Sequence, residues 1–315
     1  MTKTVRAAVI GYGAMGRNHA RVLASLPGVE LVVIVKPSGD PSGSAPAPVV
    51  SSLTEALAYG LDLAVVASPT SNHAELGAAL ADASVPTMIE KPLAGTVGQA
   101  RDLATVFAGR GVLGCVGHIE RYNPATRALR QRLEQGELGE IFQVSTRRVG
   151  PFPSRIADVG VVLDLATHDI DLTSWATGRS FADVGARTAH RTGRPYEDLV
   201  SVSARLDDDT VTSHLISWLS PFRERCIVVT GERGAFVADT LTGQLTFHAP
   251  SGDRTIFAAD RTEPLAAELE AFRQAVAGGA AADLVTLSEG ARTVAVAEAI
   301  LESARTGETV RLDPA

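Results

Sequence analysis

Three polar side chains recur at helical spacing in the otherwise apolar stretch VVLDLATHDIDLTSW, at residues 161–175. If this stretch is an α-helix, Asp164, His168 and Asp171 occupy positions i, i+4 and i+7 and lie along one side of it. An imidazole can accept a proton near neutral pH, and a carboxylate can orient the imidazole or a substrate. Such a line of side chains could take part in proton transfer, although a structural hydrogen bond to the backbone accounts for Asp171 equally well.

The composition predicts a folded protein of two domains. The chain has 315 residues, of which 45% are apolar, and this length is comfortable for two hydrophobic cores. The formal net charge of −7 argues against binding to nucleic acid or to an anionic membrane surface. Because Cys115 and Cys226 lie far apart in sequence, we expect neither a disulfide framework nor a thiolate metal site, and a reducing cytoplasm fits best.

Membrane insertion, export and metal binding are not indicated. No stretch approaches the roughly 20 apolar residues of a membrane-spanning helix, and the amino terminus lacks a basic segment followed by an apolar signal core. The seven histidines are scattered without the spacing of metal ligands. We therefore expect a soluble, unexported protein without a membrane partner and without a metal site.

Short apolar runs alternate with amphipathic stretches in the first third of the chain. The amphipathic stretches HAELGAALADA (73–83) and TVGQARDLATVFAGR (96–110) predict helices. The apolar runs predict strands at residues 5–10, 31–35, 61–67, 87–89 and 112–116. Such alternation is typical of a parallel sheet covered on both faces. The segment PSGDPSGSAPAP (37–48) is too rich in Pro, Gly and Ser for regular structure and predicts a surface loop.

The pattern changes after about residue 120. A helix near 124–135 precedes the strand EIFQVSTRRV (140–149), and the segments 199–219 and 225–248 predict two and three further strands. Strands without intervening helices indicate an antiparallel sheet. Helical patterns return in the last fifty residues. We expect domains at residues 1–120 and 121–315.

A glycine turn follows the first predicted strand. Gly11, Gly13 and Gly16 match the G-x-G-x-x-G spacing, in which the first glycine makes a tight turn, the second admits a pyrophosphate and the third allows close packing. Amide groups at the start of the next helix favour phosphate charge. The turn therefore predicts a dinucleotide site formed by Gly11, Tyr12, Gly13, Ala14, Met15 and Gly16.

The choice between NAD and NADP stays open at this point. After the second strand, where a carboxylate usually binds the ribose hydroxyls, the sequence has Lys36, Pro37 and Ser38. A cation there attracts a 2′-phosphate, yet Lys36 is equally consistent with an exposed lysine on a loop. After another strand, Ser68, Pro69, Asn72 and His73 are candidates for the nicotinamide side, while Asn72 as a helix cap and His73 as a surface residue are equally good interpretations.

Four motifs in order resemble the glucose-fructose oxidoreductase and inositol dehydrogenase family, Gfo/Idh/MocA: the glycine turn, EKPLAGT (90–96), GHIERYNPA (117–125) and DLATHDID (164–171). The resemblance implies an α/β protein with an amino-terminal Rossmann domain and a carboxy-terminal α+β domain, whose sheet is open and mostly antiparallel. It also implies an NAD(P)-dependent enzyme acting on sugar hydroxyls that forms homodimers or homotetramers.

The same resemblance implies the catalytic residues. Lys91 matches the lysine of the family's E-K-P motif, where Glu90 and Lys91 are also candidates for contact with the cofactor. Asp164 with His168 matches its D-x-x-x-H motif. Oxidation of an alcohol requires a proton acceptor, and a nearby ammonium can stabilise developing alkoxide charge. We therefore expect His168 to accept the proton, Lys91 to polarise the hydroxyl and Asp164 to orient substrate or histidine, with the division between Lys91 and His168 left open.

The segment before this helix, STRRVGPFPSRIADVGVVL (145–163), resembles the branch of the family that contains UDP-N-acetylglucosamine 3-dehydrogenases. Arg147, Arg148 and Arg155 could bind a diphosphate, although strand alternation sends Arg147 and Arg148 to opposite faces, and pairing with surface carboxylates is an equal alternative. Further candidates for contact with the sugar or with the nicotinamide are His118, Arg121, Tyr122 and Asn123, of which Asn123 could instead start a helix.

The leading expectation is therefore oxidation of UDP-N-acetylglucosamine at C3. The alternatives are an NADPH-dependent ketosugar reductase, an inositol dehydrogenase and, in another class, a non-catalytic NADP-binding sensor.

Overall fold

The computed structural model describes residues 4–40, 43–153, 159–258, 260–281 and 284–313. The chain divides into two compact units. Unit 1 contains Met1–Ile119 and Glu263–Ala291, and unit 2 contains Glu120–Thr262 and Arg292–Ala315. The first boundary between the units lies at Glu120, and the segment Glu263–Ala291, which we expected in the second domain, belongs to unit 1.

Helices and strands are numbered along the chain. The helices are α1 (Ala14–Ser25), α2 (Leu53–Leu57), α3 (His73–Asp82), α4 (Val97–Arg110), α5 (Pro124–Glu134), α6 (Thr167–Thr177), α7 (Pro264–Val276) and α8 (Leu287–Thr306). The strands are β1 (Val5–Ile10), β2 (Val29–Val35), β3 (Val49–Val50), β4 (Leu63–Val66), β5 (Thr87–Glu90), β6 (Gly114–Gly117), β7 (Ile141–Pro151), β8 (Phe181–Ala189), β9 (Leu199–Leu206), β10 (Val211–Ser217), β11 (Leu219–Gly231), β12 (Gly234–Asp239), β13 (Gln244–His248), β14 (Arg254–Phe257), β15 (Val285–Thr286) and β16 (Val310–Arg311).

Unit 1 has a sheet with the strand order β15-β6-β5-β4-β1-β2-β3. All pairs are parallel except β15 with β6. Because β1, β4 and β5 are parallel neighbours, the loops that follow them leave from the same edge of the sheet. Gly11, Ser68 and Lys91 lie in these three loops, so the fold of unit 1 brings them to one edge.

Helix α7 belongs to unit 1 because its apolar face packs into the core of that unit. Leu265, Leu269 and Phe272 are buried in one cluster with Val9 and Leu23. The sequence pattern showed that this helix has an apolar face, but the pattern could not show which of two sheets that face covers.

Unit 2 has a sheet with the order β14-β13-β12-β11-β7-β10-β9-β8-β16. Only β10 and β7 pair in parallel among its described strands, so the sheet is mostly antiparallel, as predicted. Helices α5, α6 and α8 pack on one face, where their buried residues share clusters with Val144, Val202 and Val229. The alternate residues of these strands project from the opposite face.

Most predicted elements are present within a few residues of their expected ends. Helix α2, strand β8 and the short strands β3, β14, β15 and β16 were not predicted individually. Within the described residues, no helix combines the length and the apolar character that crossing a membrane requires.

Candidate active site

The glycine turn of unit 1 can be formed only by glycine at two of its positions. Gly11 has a φ of +102°, and a Cβ there would lie 2.6 Å from the carbonyl oxygen of Ala67. A Cβ on Gly16 would collide with the carbonyl oxygen of Gly11, at the close contact between α1 and β1. These two glycines therefore fix how α1 leaves the edge of the sheet.

Gly13 serves a different purpose from its two neighbours. It is exposed, and a Cβ there would meet no atom of the described residues within 4 Å. It is also the N-cap of α1, which has no side-chain cap and no acidic residue in its first turn. The start of α1 therefore offers free space and uncapped amide groups, which fits the pyrophosphate of a dinucleotide. Ala14 beside it is exposed, Met15 is half-buried and Tyr12 is buried.

Lys36 directly follows β2, and Pro37 comes next. The backbone of Lys36 is fixed, because its amide donates to the carbonyl of Val50 at 2.9 Å and its carbonyl accepts from Gly39 at 2.8 Å. The side chain is half-buried and Pro37 is exposed. The end of β2 thus holds a cation where ribose hydroxyls usually meet a carboxylate.

His73, which follows the loop after β4, fits neither of its two interpretations. Its ring is buried, with Nδ1 2.9 Å from the carbonyl oxygen of Pro92 and Nε2 3.0 Å from that of Ser68. Burial lowers the pKa of His73, and the hydrogen bonds to the carbonyls of Pro92 and Ser68 oppose this shift. His73 therefore ties two loops together and is neither a surface residue nor an open nicotinamide contact.

Asn72 and Pro69 are exposed beside it, and Ser68 is half-buried. Asn72 occupies the N-cap position of α3 but makes no side-chain cap hydrogen bond. The capping interpretation of Asn72 is therefore wrong, and its amide remains a candidate contact for a cofactor.

The EKP motif lies at the end of β5, where Glu90 is buried and Lys91 is half-buried. Glu90 Oε1 accepts from Nε2 of His19 at 2.7 Å, and Glu90 Oε2 accepts from the amide of Lys91 at 3.1 Å. Burial acts to raise the pKa of Glu90, but the hydrogen bond from His19 and the charges of His19, Lys91 and His73 hold it below its usual value. Glu90 is therefore a buried carboxylate behind Lys91, not an exposed cofactor contact.

In unit 2 the helix that carries Asp164 and His168 is not uniformly α-helical. Val162–Ala166 is a π-helical turn, and α6 continues from Thr167. The expected line of Asp164, His168 and Asp171 assumed α-helical geometry throughout, so that prediction is wrong for the first interval. Asp164 is buried and His168 is half-buried. Single π-turns within helices are frequent at functional sites.

Glu197 holds the start of this π-turn from a distant loop. The amide of Val162 donates to Glu197 Oε1 at 2.9 Å, and the amide of Val161 donates to the Glu197 carbonyl at 3.1 Å. A Cβ on Gly160 would collide with the same carboxylate. Sequence reasoning missed Glu197, because nothing local marks a capping residue 35 positions away from the amide that it caps.

Two buried arginines hold α6 in place within unit 2. Arg148 Nε donates to Asp169 at 2.7 Å and its Nη1 donates to Glu120 at 2.7 Å. Arg121 donates to both oxygens of Asp171, at 2.9 and 2.6 Å. Asp171 therefore has a structural role, with the guanidinium of Arg121 as a partner. Since its guanidinium is enclosed by carboxylates, Arg148 is not a diphosphate ligand.

The remaining substrate candidates of unit 2 occupy different environments. Arg147 projects from the face of β7 opposite to Arg148, away from α6, and pairs with Glu224 at 2.6 Å. That placement contradicts a role for Arg147 beside His168. Arg155 lies outside the described residues.

Asn123 starts α5. Its Oδ1 accepts from the amide of Ala125 at 3.0 Å and its Nδ2 donates to the Thr240 carbonyl at 2.9 Å. The alternative of a helix start is therefore correct for Asn123, and its amide is already engaged. Tyr122 is buried in unit 2, and His118 is buried in unit 1.

Among the residues that the structure describes, no group of three or more His, Cys, Asp or Glu side chains is arranged to hold a metal ion.

Comparison with known proteins gives two consecutive family matches. Residues 5–118 match the family model GFO_IDH_MocA, described as an oxidoreductase family with an NAD-binding Rossmann fold. Residues 126–237 match the GFO/IDH/MocA C-terminal domain.

Individual relatives carry different substrate names. Myo-inositol dehydrogenase Hyg17 of Streptomyces leeuwenhoekii is 34% identical over 220 residues, which cover 65% of this chain and 67% of Hyg17. UDP-N-acetylglucosamine 3-dehydrogenase of Acidithiobacillus ferrooxidans is 31% identical over 189 residues, covering 58% of this chain and 57% of that protein. A crystal structure of the latter enzyme, GnnA, superposes with a TM-score of 0.87 at 25% identity, covering 96% of this chain and 98% of that one. GenD2 from gentamicin A biosynthesis, crystallised with NAD, has a TM-score of 0.84 at 25% identity and covers 100% and 98%.

Proposed function

Since this chain belongs to the Gfo/Idh/MocA family, and is therefore an NAD-dependent oxidoreductase of sugar or polyol hydroxyl groups, we propose that Lys91, Asp164 and His168 carry its chemistry. The start of α1 supports binding of the dinucleotide there, because Gly13 is exposed and no side chain caps the amides of the first turn. NAD, when bound, supplies the acceptor for hydride.

The roles of the three residues follow from their chemistry. The imidazole of His168 accepts the proton of the substrate hydroxyl, a role that suits imidazole because this group exchanges protons near neutral pH. The ammonium of Lys91 donates a hydrogen bond to the substrate oxygen and stabilises the alkoxide charge that develops there. The buried carboxylate of Asp164 orients the imidazole or a second hydroxyl of the substrate.

The substrate class admits two candidates. Oxidation of UDP-N-acetylglucosamine at C3 is supported by the similarity to GnnA in sequence and in fold. Oxidation of an inositol is supported by the similarity to Hyg17. It is also supported by the positions of the two arginines of β7, because Arg148 is enclosed by carboxylates and Arg147 projects away from α6, so that neither is placed to bind a diphosphate near His168. A nucleotide sugar requires cations for its diphosphate, whereas an inositol does not.

Steady-state assays with a substrate panel test both candidates. The purified protein is mixed with NAD or NADP and with UDP-N-acetylglucosamine, myo-inositol, scyllo-inositol or glucose, and reduced nicotinamide is followed by its absorbance. We expect turnover of one class and loss of that turnover in Lys91→Ala. Tight binding of NAD without turnover of any alcohol would favour the sensor interpretation and contradict the proposal.

We also propose that the chain forms a homo-oligomer through the sheet of unit 2. Helices cover the face of this sheet that carries Ile227 and Val229, while Leu215, Cys226 and Val228 project from the other face and are only half-buried. Apolar side chains on a sheet face are typical of subunit contacts. Light scattering should give a dimer or tetramer for the wild type and a smaller species for Val228→Arg. A monomeric wild type would contradict this proposal.

A further inference from the structure

The carboxylate of Glu90 is a buried charge at the edge of the unit 1 sheet. It is 7% exposed, and its hydrogen-bond partner His19 is fully buried on α1. A carboxylate in such surroundings costs free energy unless specific partners compensate for lost water. An apolar pair would pack α1 against β5 without this cost, so the charged pair calls for an explanation beyond packing.

The contacts of Glu90 supply that explanation. One oxygen accepts from His19 Nε2 at 2.7 Å, and the other accepts from the backbone amide of Lys91 at 3.1 Å. The carboxylate thus connects the helix that follows the glycine turn to the lysine of the EKP motif. We propose that His19 and Glu90 form a positioning pair that orients Lys91 for catalysis, an inference that rests on the proposed function.

A second histidine holds the same turn from the other side. His73, the first residue of α3, lies with Nδ1 2.9 Å from the carbonyl oxygen of Pro92. The backbone at Lys91 is therefore restrained on its amide side by Glu90 and one residue later by His73. Both restraints originate from helices whose preceding loops lie at the cofactor edge of the sheet. The arrangement couples the position of Lys91 to the two loops that we expect to hold NAD.

The pair also predicts a pH dependence. The charged and titratable groups that act on Glu90 are His19 from α1, His73 from α3 and the adjacent Lys91. Burial opposes the charge of Glu90, and the hydrogen bond from His19 is the largest effect that favours it. Without this donor, burial raises the pKa of Glu90, so that the carboxylate takes up a proton at higher pH and its link to Lys91 weakens there.

The test compares four variants with the wild type. His19→Leu removes the donor, His19→Gln keeps a neutral donor of similar reach, and Glu90→Gln removes the charge at constant shape. Glu75→Gln removes an exposed carboxylate of α3 and is the matched control. The measurements are kcat as a function of pH, the Kd of NAD by calorimetry and the thermal unfolding temperature.

We expect kcat to fall about tenfold to a hundredfold in His19→Leu and in Glu90→Gln, because small displacements of a catalytic group have large effects. The Kd of NAD should stay within about threefold, since Gly13 and the first turn of α1 are untouched. The acid limb of the kcat profile should move to higher pH in His19→Leu. His19→Gln should recover most of the activity, and Glu75→Gln should behave as wild type.

A spectroscopic readout does not depend on turnover. The chain has three lysines, Lys3, Lys36 and Lys91, so reductive methylation with ¹³C-formaldehyde labels few sites and Lys91→Ala identifies the signal of interest. We expect the Lys91 signal to move in Glu90→Gln and in His19→Leu, and the Lys36 signal to stay in place. This readout and Glu90→Gln remain informative if His19→Leu fails to fold.

Two results would overturn the inference alone. The first is that His19→Leu and Glu90→Gln remain active, with an unchanged acid limb of the kcat profile and an unchanged Lys91 signal. The second is that His19→Leu and His19→Gln lose activity equally. A wild-type protein that oxidises no alcohol would overturn the proposed function itself and the inference with it. The wild-type assay therefore separates the two failures.

Discussion

The guanidinium of Arg148 and the carboxylate of Asp169 lie 2.7 Å apart, and each side chain is only 3% exposed. Burial alone would lower the pKa of Arg148, but the charges of Asp169 and Glu120 raise it, so the arginine remains a cation. Because Asp169 directly follows His168, this ion pair fixes the turn of α6 that carries the proposed proton acceptor.

Loss of Arg148 should therefore destabilise unit 2. Arg148→Met removes the arginine shared by the buried carboxylates of Asp169 and Glu120, and we expect a loss of about 3–5 kcal/mol in the free energy of unfolding. Arg147→Met on the same strand is the control, because its exposed pair with Glu224 should contribute about 0–1 kcal/mol. Urea unfolding followed by tryptophan fluorescence measures unit 2 specifically, since Trp175 and Trp218, the two tryptophans, both lie in it. Equal losses in the two variants would contradict the structural role of Arg148.

The glycine turn predicts opposite effects for two substitutions three residues apart. Gly13→Ala adds a methyl group in empty space, so the unfolding temperature should stay unchanged while the methyl group obstructs the pyrophosphate and raises the Kd of NAD about tenfold or more. Gly16→Ala forces a methyl group against the Gly11 carbonyl and should lower the free energy of unfolding by about 1–3 kcal/mol. Thermal unfolding and calorimetry check both, and unaltered NAD affinity in Gly13→Ala would remove the pyrophosphate from this position.

Local patterns in the sequence predicted the glycine turn, most strands and most helices, because their periodicity and turn residues are short-range signals. The interior ion pairs could not be predicted in this way. Arg148 lies 21 residues before Asp169 and 28 after Glu120, and in sequence all three resemble ordinary surface charges. The π-turn before α6 was missed for the same reason, since Glu197, a tertiary contact, holds its first amides.

Cofactor preference should depend on Lys36. A carboxylate at the end of β2 accepts hydrogen bonds from the ribose hydroxyls of NAD and repels the 2′-phosphate of NADP. We therefore expect Lys36→Asp to raise the ratio of kcat/KM for NAD to kcat/KM for NADP by about tenfold or more. Lys36→Met separates the loss of the cation from the gain of the carboxylate. An unchanged ratio in both variants would mean that Lys36 does not reach the ribose.

Acid should destabilise unit 2 through His214. Burial lowers the pKa of His214 to about 4, and the ring contacts the hydroxyl groups of Thr146 and Thr212. Between pH 6.5 and about 4 the unfolded chain binds a proton that the folded chain does not, so the free energy of unfolding falls as the pH falls, by up to about 3 kcal/mol. Urea unfolding at pH 7 and pH 4.5 measures this loss. In His214→Gln the part of the loss due to this residue should disappear, and an identical pH dependence in the variant would contradict the assignment.

Whether Lys91 and His168 act on one chemical step can be tested without any structural measurement. Each single alanine variant should lower kcat by about 10²–10⁴-fold, the range of a lost acid, base or electrostatic group. Residues that serve the same transition state are not additive, so the double variant should lose at most about threefold more than the worse single variant. Arg147→Met, which should leave kcat unchanged alone and in combination with Lys91→Ala, controls for unspecific effects of a second substitution. Multiplicative losses for Lys91 and His168 would mean that the two side chains act independently, and the proposed division into a polarising ammonium and an accepting imidazole would then be wrong.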